Sequence, residues 1–188
     1  MKVIGLTGTM GSGKEVVKDF IKKRYDCYYV TLSDIIKGEL EKRKGTFNRT
    51  TLQDMGNEMR KKYGNHILAM LAVSYLGKDK QAIVIDGIRN TAEIEFLKKK
   101  YGGDFKLLAV DAPREMRFQR VVERGKDDPS AWEEFVKADD RDQGVGEDKA
   151  GLHVKDCLGM ADYLIVNDGS LEDLERKVNE ILQKIFPG

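Results

Sequence analysis

The residues best suited to chemistry stand near the start of the sequence. Gly8-Thr9-Met10-Gly11-Ser12-Gly13-Lys14 follows an apolar run, Val3 to Leu6, and precedes an amphipathic stretch. Glycines permit a tight loop, its backbone N–H groups can wrap phosphates, and the following helix N-terminus adds positive potential. Lys14 can then reach the outer phosphates of a nucleotide. A serine or threonine ordinarily comes next and ligates Mg²⁺, but here the residue is Glu15. A carboxylate can hold Mg²⁺ directly or through water. Glu15 is also a favourable first-turn acid on a helix.

A second acid, Asp86, ends the apolar run Ala82 to Ile85 and is followed by Gly87-Ile88-Arg89. Ligands of open α/β sheets bind outside the carboxyl ends of the strands. There Asp86 can organise Mg²⁺ and Arg89 can clamp a phosphate, although Asp-Gly is also a common turn. Phosphoryl transfer needs positive charge gathered around the moving group. Arg117, Arg120 and Arg124 recur at i, i+3 and i+7, and Arg141 lies within Asp139-Asp140-Arg141-Asp142. A closing flap between them would bring Arg120, Arg124 and Arg141 onto the phosphates, Arg117 being the weaker candidate. Arg60 is a candidate for the phosphate of a second substrate. Ser33 and Asp34 stand at the end of the second apolar run, where they can touch substrate or cap a helix over 35–43.

Five short apolar runs must position these groups: Val3 to Leu6, Cys27 to Leu32, Ala82 to Ile85, Leu107 to Val110 and Tyr163 to Val166. Most lack polar alternation, as strands of a parallel sheet covered on both faces do. Between them lie amphipathic stripes, among them Val16, Val17, Phe20 and Ile21, and Leu171, Leu174, Val178, Ile181 and Ile185. Thr50-x-x-Gln53, Asn90-x-x-Glu93, Ser130-x-x-Glu133 and Ser170-x-x-Asp173 read as capping boxes, and Pro113 as a first helical residue. The expected fold is α/β, a five-stranded parallel sheet in a three-layer architecture. It forms one domain, 1–188. A helical insertion of about three pieces covers 33–77, and a polar segment with one short helix around Trp132 to Ala138 covers 125–150. Both read as mobile, and the core comprises 1–32, 78–124 and 151–188.

The chain has 188 residues, with 33 Lys and Arg against 32 Asp and Glu. That balance argues against nucleic acid as a partner. No apolar run approaches the roughly 20 residues that span a bilayer, so a membrane is not expected either. Two distant cysteines, Cys27 and Cys157, fit a reducing compartment, the cytoplasm, and form no zinc set. His66 and His153 make no metal pattern.

The glycine loop at the first strand, Asp-Gly-x-Arg at the third, an Arg-x-x-x-Arg pair and a late arginine together resemble the P-loop nucleoside monophosphate kinases. The similarity runs over essentially the whole chain. It is greatest to adenylate-kinase-like and dephospho-CoA-kinase-like proteins and to phage deoxynucleoside monophosphate kinases. The resemblance implies that Gly8 to Lys14 cradle ATP phosphates and Asp86 organises Mg²⁺. It implies that Arg60 and Arg89 hold the acceptor's phosphate, and that Arg120, Arg124 and Arg141 are lid arginines. Asn167 to Gly169 would contact adenine, with Asn167 and Gly169 binding the nucleotide. Glu93 stands where adenylate kinases often carry a base-reading glutamine, and it is also the third residue of a capping box. The acceptor is then a nucleoside or deoxynucleoside monophosphate, bound by a monomer or small homo-oligomer. A ribose hydroxyl of dephospho-CoA, with Asp34 or Asp86 as base, is an alternative. So is a nucleotide switch in which Glu15 spoils Mg²⁺ placement.

Overall fold

In a computed structural model, described over residues 1–46, 48–74, 76–77, 79–125 and 129–187, the five apolar runs form one parallel sheet. Positions 47 and 75 of the expected insertion and 126–128 of the expected flap lie outside the described residues. The strands are β1 (Lys2–Gly8), β2 (Cys27–Thr31), β3 (Ala82–Asp86), β4 (Phe105–Asp111) and β5 (Tyr163–Val166), in the order β2-β3-β1-β4-β5. Their helices are α1 (Lys14–Arg24), α2 (Leu32–Lys42), α3 (Arg49–Tyr63), α4 (Ile67–Ser74), α5 (Thr91–Tyr101), α6 (Arg114–Arg124), α7 (Trp132–Gln143), α8 (Val154–Gly159) and α9 (Leu171–Ile185).

Strand alternation divides the core between the two faces of the sheet. Val3, Ile83, Ile85 and Leu107 pack against α2, α3, α4, α5 and α8, whereas Ile4, Leu6, Val84, Leu108 and Val110 pack against α1 and α9. Only the inner strands are buried on both faces. Every residue of β2 is half-buried, and Leu164 and Val166 of β5 are exposed. The unbroken apolar runs of β2 and β5 belong to sheet edges, which periodicity alone does not distinguish from the centre. On α9 the buried stripe is Leu174, Val178, Leu182 and Ile185, while Leu171 faces outward.

Helix boundaries correct several expectations. α2 begins directly at the end of β2, with Thr31 as its cap accepting from the Ser33 amide, so neither Ser33 nor Asp34 is the cap. α3 starts under Asn48, whose side chain forms a capping box with Thr51 rather than Thr50 with Gln53. Asn90–Glu93 and the Ser170 cap form as expected. Ala131 precedes α7 without a side-chain cap, and Pro113 is the cap of α6, one place before the helix. Asn48→Ala should therefore cost about 1 kcal/mol. A thermal melt would register this as a fall of roughly 2–4 °C, with exposed Thr50→Ala near zero.

The helix around Trp132 runs on to Gln143 and is docked. Trp132 and Phe135 pack with Phe118 of α6, and Met10, Val121 and Phe135 form a small third core. Arg141 reaches Gln53 and Asp54 of α3 at 3.2 and 2.7 Å, and Asn57 holds Glu147 at 2.6 Å. The expected mobile flap is a helix pinned by polar pairs to α3 and α6.

Candidate functional site

The glycine loop connects β1 to α1 at the carboxyl edge of the sheet. Gly11 and Gly13 have φ of 76° and 93°, the left-handed region that favours glycine. A Cβ at Gly11 would strike the Arg117 carbonyl, and one at Gly13 the Asn167 amide, so both positions are also closed by packing. Gly13 precedes α1 and offers it no side-chain cap, while its carbonyl accepts from the Val16 amide at 3.0 Å. Gly8 ends β1 beside Val110, and Ser12 Oγ is buried without a hydrogen-bond partner.

Thr9 and Met10 serve the loop from behind. Thr9 Oγ1 donates to Asp111 at 2.6 Å, while the Met10 side chain enters the third core. Asn167 Nδ2 donates to the Ser12 carbonyl at 2.8 Å, and Arg120 Nη2 donates to the Asn167 carbonyl at 3.1 Å. Asn167 thus ties the loop after β5 to the glycine loop. Gly169 follows in that same loop, one residue before the cap of α9.

Lys14 and Glu15 open onto a cleft of about 440 Å³, which Thr31, Ser33, Asp86, Arg89, Arg60 and Arg124 also line. Lys14 Nζ lies 3.8 Å from Asp86 Oδ1, an oxygen that is buried without a hydrogen-bond partner. Asp86 Oδ2 accepts from the Tyr29 hydroxyl at 2.8 Å. Burial, then the charge and hydrogen bond of Asp86, push the Tyr29 phenol upward, so it remains a donor. Burial alone would raise Glu15, but Lys18, Lys14 and Arg124 outweigh it and hold the carboxyl below its usual range. Glu15 pairs with Lys18, and its side chain is largely exposed. Among the described residues, no three of His, Cys, Asp and Glu come together as a metal cluster. An orphaned buried carboxylate oxygen beside the loop fits Mg²⁺ carried mainly by phosphate and water.

Arginines also line the cleft. Arg60 is 2% exposed; its Nε and Nη2 donate to Glu93 at 3.0 and 2.8 Å, and Nη1 is buried without a hydrogen-bond partner. Glu93 is fully buried and also accepts from the Arg89 and Asn90 amides at 3.0 and 3.1 Å. Both its oxygens are engaged, so its place is the capping box and the Arg60 pair. The structure does not offer Glu93 to a base. Ser33 bonds Thr31 at 2.7 Å at the cleft wall, whereas Asp34 accepts from Lys37 at 3.1 Å and does not itself line the cleft.

The arginines of α6 and α7 divide. Arg124 lines the cleft, and Arg120 supports Asn167 with its Nη1 buried and unpartnered. Arg117 is buried, donating to Asp139 and to the Met10 and Ala112 carbonyls. Arg141 is not brought to the loop; it joins α7 to Asp54 and Glu147 outside the cleft. Sequence reasoning missed Tyr29, Arg49, Gln53 and Asp142. Arg49 and Gln53 line the cleft, and Asp142 is 2% exposed. Gln53 donates to Asp142 at 2.7 Å, Arg89 Nη1 donates to both its oxygens at 3.1 and 3.2 Å, and Arg49 pairs with it. Burial opposes the charge of Asp142, but Arg89 and Arg49, then Gln53 and Lys14, hold its carboxyl below the ordinary 3.8. A depressed folded pKa stabilises fully above the unfolded value and is lost as pH falls through the folded one. The stability gap between wild type and Asp142→Asn should therefore be constant near neutrality and narrow below about pH 4, as melts across pH would measure.

Comparison with known proteins places this geometry. An AAA domain family matches residues 4–142. A UPF0200 protein of Methanocaldococcus jannaschii is 30% identical over 99% of this chain and 91% of its own length. One from Thermococcus onnurineus is 33% identical over 98% of both chains. Among solved structures, TT1252 from Thermus thermophilus matches with TM-score 0.58 and 24% identity over 98% of both chains. Shikimate kinase from Acinetobacter baumannii, solved in complex with shikimate, matches with TM-score 0.52 and 17% identity over 98% of this chain and 93% of its own. These two likenesses support the fold, that of the P-loop kinases. The chain belongs to the UPF0200 proteins, and most of it, residues 4–142, matches an AAA domain.

Proposed function

We propose that the protein transfers the terminal phosphoryl group of Mg·ATP to a small phosphorylated acceptor, a nucleoside or deoxynucleoside monophosphate. The observation that carries this reading is one cleft lined by several cations. Lys14, directly after the glycine loop, lines it together with Arg60, which keeps an unpartnered buried nitrogen, and Arg89. Two phosphate groups can face each other across it, which is the arrangement phosphoryl transfer requires. Glycine-loop amides and Lys14 neutralise the outer phosphates of the donor. Arg60 and Arg89 hold the acceptor, and Arg124 adds charge at the cleft wall. Asp86, with Glu15 beside it, would hold Mg²⁺, which supplies neutralisation of the charge developing on the transferred group.

A second reading has its own observation: Asp86 Oδ1, buried without a hydrogen bond, could accept a proton from a hydroxyl acceptor. Dephospho-CoA and, by likeness of fold, shikimate would then be candidates. The test is ADP release with Mg·ATP against AMP, dAMP, CMP, dCMP, UMP, GMP, dGMP, dTMP, dephospho-CoA and shikimate, with Lys14→Ala beside it. One monophosphate yielding its diphosphate supports the first reading and names the acceptor. Product from a hydroxyl compound alone establishes the second. Silence with ATP bound, and turnover gained on Glu15→Ser, would instead identify a nucleotide switch.

A further inference from the structure

Resting on the assignment of Arg60 and Arg89 to the acceptor, we propose that Asp142 is a positioning residue. From α7 it holds Arg49 and Arg89 in place, so that the acceptor's anionic group meets three oriented guanidiniums, Arg49, Arg60 and Arg89, while α7 is docked. The design repeats within the cleft. Glu93 grips Arg60 by Nε and Nη2 and leaves Nη1 facing no partner. Asp142 grips Arg89 by Nη1, and the Arg89 side chain, a third exposed, still lines the cleft. Each buried carboxylate fixes an arginine by part of its donor set and leaves the rest for a ligand.

The two carboxylates differ in their origin. Glu93 belongs to α5, packed on the sheet, whereas Asp142 comes from α7 and reaches residues of α3 and the β3–α5 connection. Gln53 completes the grip, and Arg141, the preceding residue, pins the same turn of α7 to α3. The acceptor site is thus assembled across the boundary between α7 and α3. Long arginine side chains lose much conformational freedom on binding, and prior fixation removes that cost. Linkage then requires the reciprocal effect: an anion bound to the three arginines holds α7 down.

Inorganic phosphate serves as the probe, with the loop first filled by a non-hydrolysable ATP analogue and Mg²⁺. Calorimetry follows binding, and hydrogen exchange follows the amides of α7. Wild type should bind phosphate and slow exchange in α7. Asp142→Asn should bind it about 10- to 100-fold more weakly and lose that slowing, with analogue affinity unchanged within twofold. A purely structural role would not move the response of α7 to phosphate. Equal or tighter phosphate binding by Asp142→Asn overturns the proposal and leaves the acceptor assignment standing. Absence of phosphate binding by wild type brings down the acceptor assignment itself. Should Asp142→Asn fail to fold, Arg49→Gln decides. Weakened phosphate binding supports the three-arginine site, and unchanged binding overturns it.

Discussion

Glu93→Ala should lower the melting temperature by roughly 10–20 °C. Its carboxylate is the buried counter-charge of Arg60, which is itself 2% exposed. Removing one partner of a buried ion pair costs about 3–5 kcal/mol, because the other charge stays desolvated. The same substitution strips the acceptor from the Arg89 and Asn90 amides at the start of α5. Loss of such a cap adds about 1 kcal/mol. For a chain of this size each kcal/mol moves the midpoint by about 2–4 °C. Calorimetric melting measures it directly. A fall under about 3 °C would show that Arg60 finds compensation in the cleft, and that the pair is not the strut described.

Lys14→Ala should act on turnover rather than on the fold. Withdrawing one preorganised charge or donor from a transition state costs about 10²–10³ in kcat. With the acceptor that the panel identifies, ADP release should fall by that factor or more. Far-ultraviolet circular dichroism should stay unchanged, since Lys14 contacts Asp86 only at 3.8 Å and α1 remains packed through Val17 and Ile21. Residual activity within tenfold of wild type would remove the loop from the reaction.

The two substitutions also mark what the sequence made legible. The glycine loop between β1 and α1 can be read because its residues are consecutive, and glycine is demanded there by backbone geometry. Asp86 can be read because an acid closing an apolar strand has a fixed place at the sheet's carboxyl edge. Glu93 shows the limit of this. Its capping spacing was visible, but the choice between capping and base reading turned on Arg60, 33 residues earlier. Asp142 lies 93 residues from Arg49, and no local period announces a pair between α3 and α7. Tyr29 reaches Asp86 only through the β2–β3 register, where Thr31 lies opposite Asp86. Arg117, Arg120 and Arg124 share a helical face, but the neighbours of that face change along its length. One arginine is therefore buried against Asp139, one supports Asn167 and one lines the cleft.

The central position of β1 bears on how the chain comes to fold. β1 precedes both of its neighbours, and pairs with β3 from Lys2↔Ala82 and with β4 from Val3↔Phe105. At a synthesis rate of about 5–20 residues per second, it waits roughly 4–15 s for β3 to emerge. Its apolar run must meanwhile avoid pairing with other nascent strands, and closure of so long a loop makes the parallel sheet slow to nucleate. The strand that carries the glycine loop is thus flanked on both sides only after β3 and β4 have emerged. Nucleotide, if it binds the finished loop, arrives after the sheet and can stabilise the product of folding without guiding its early steps.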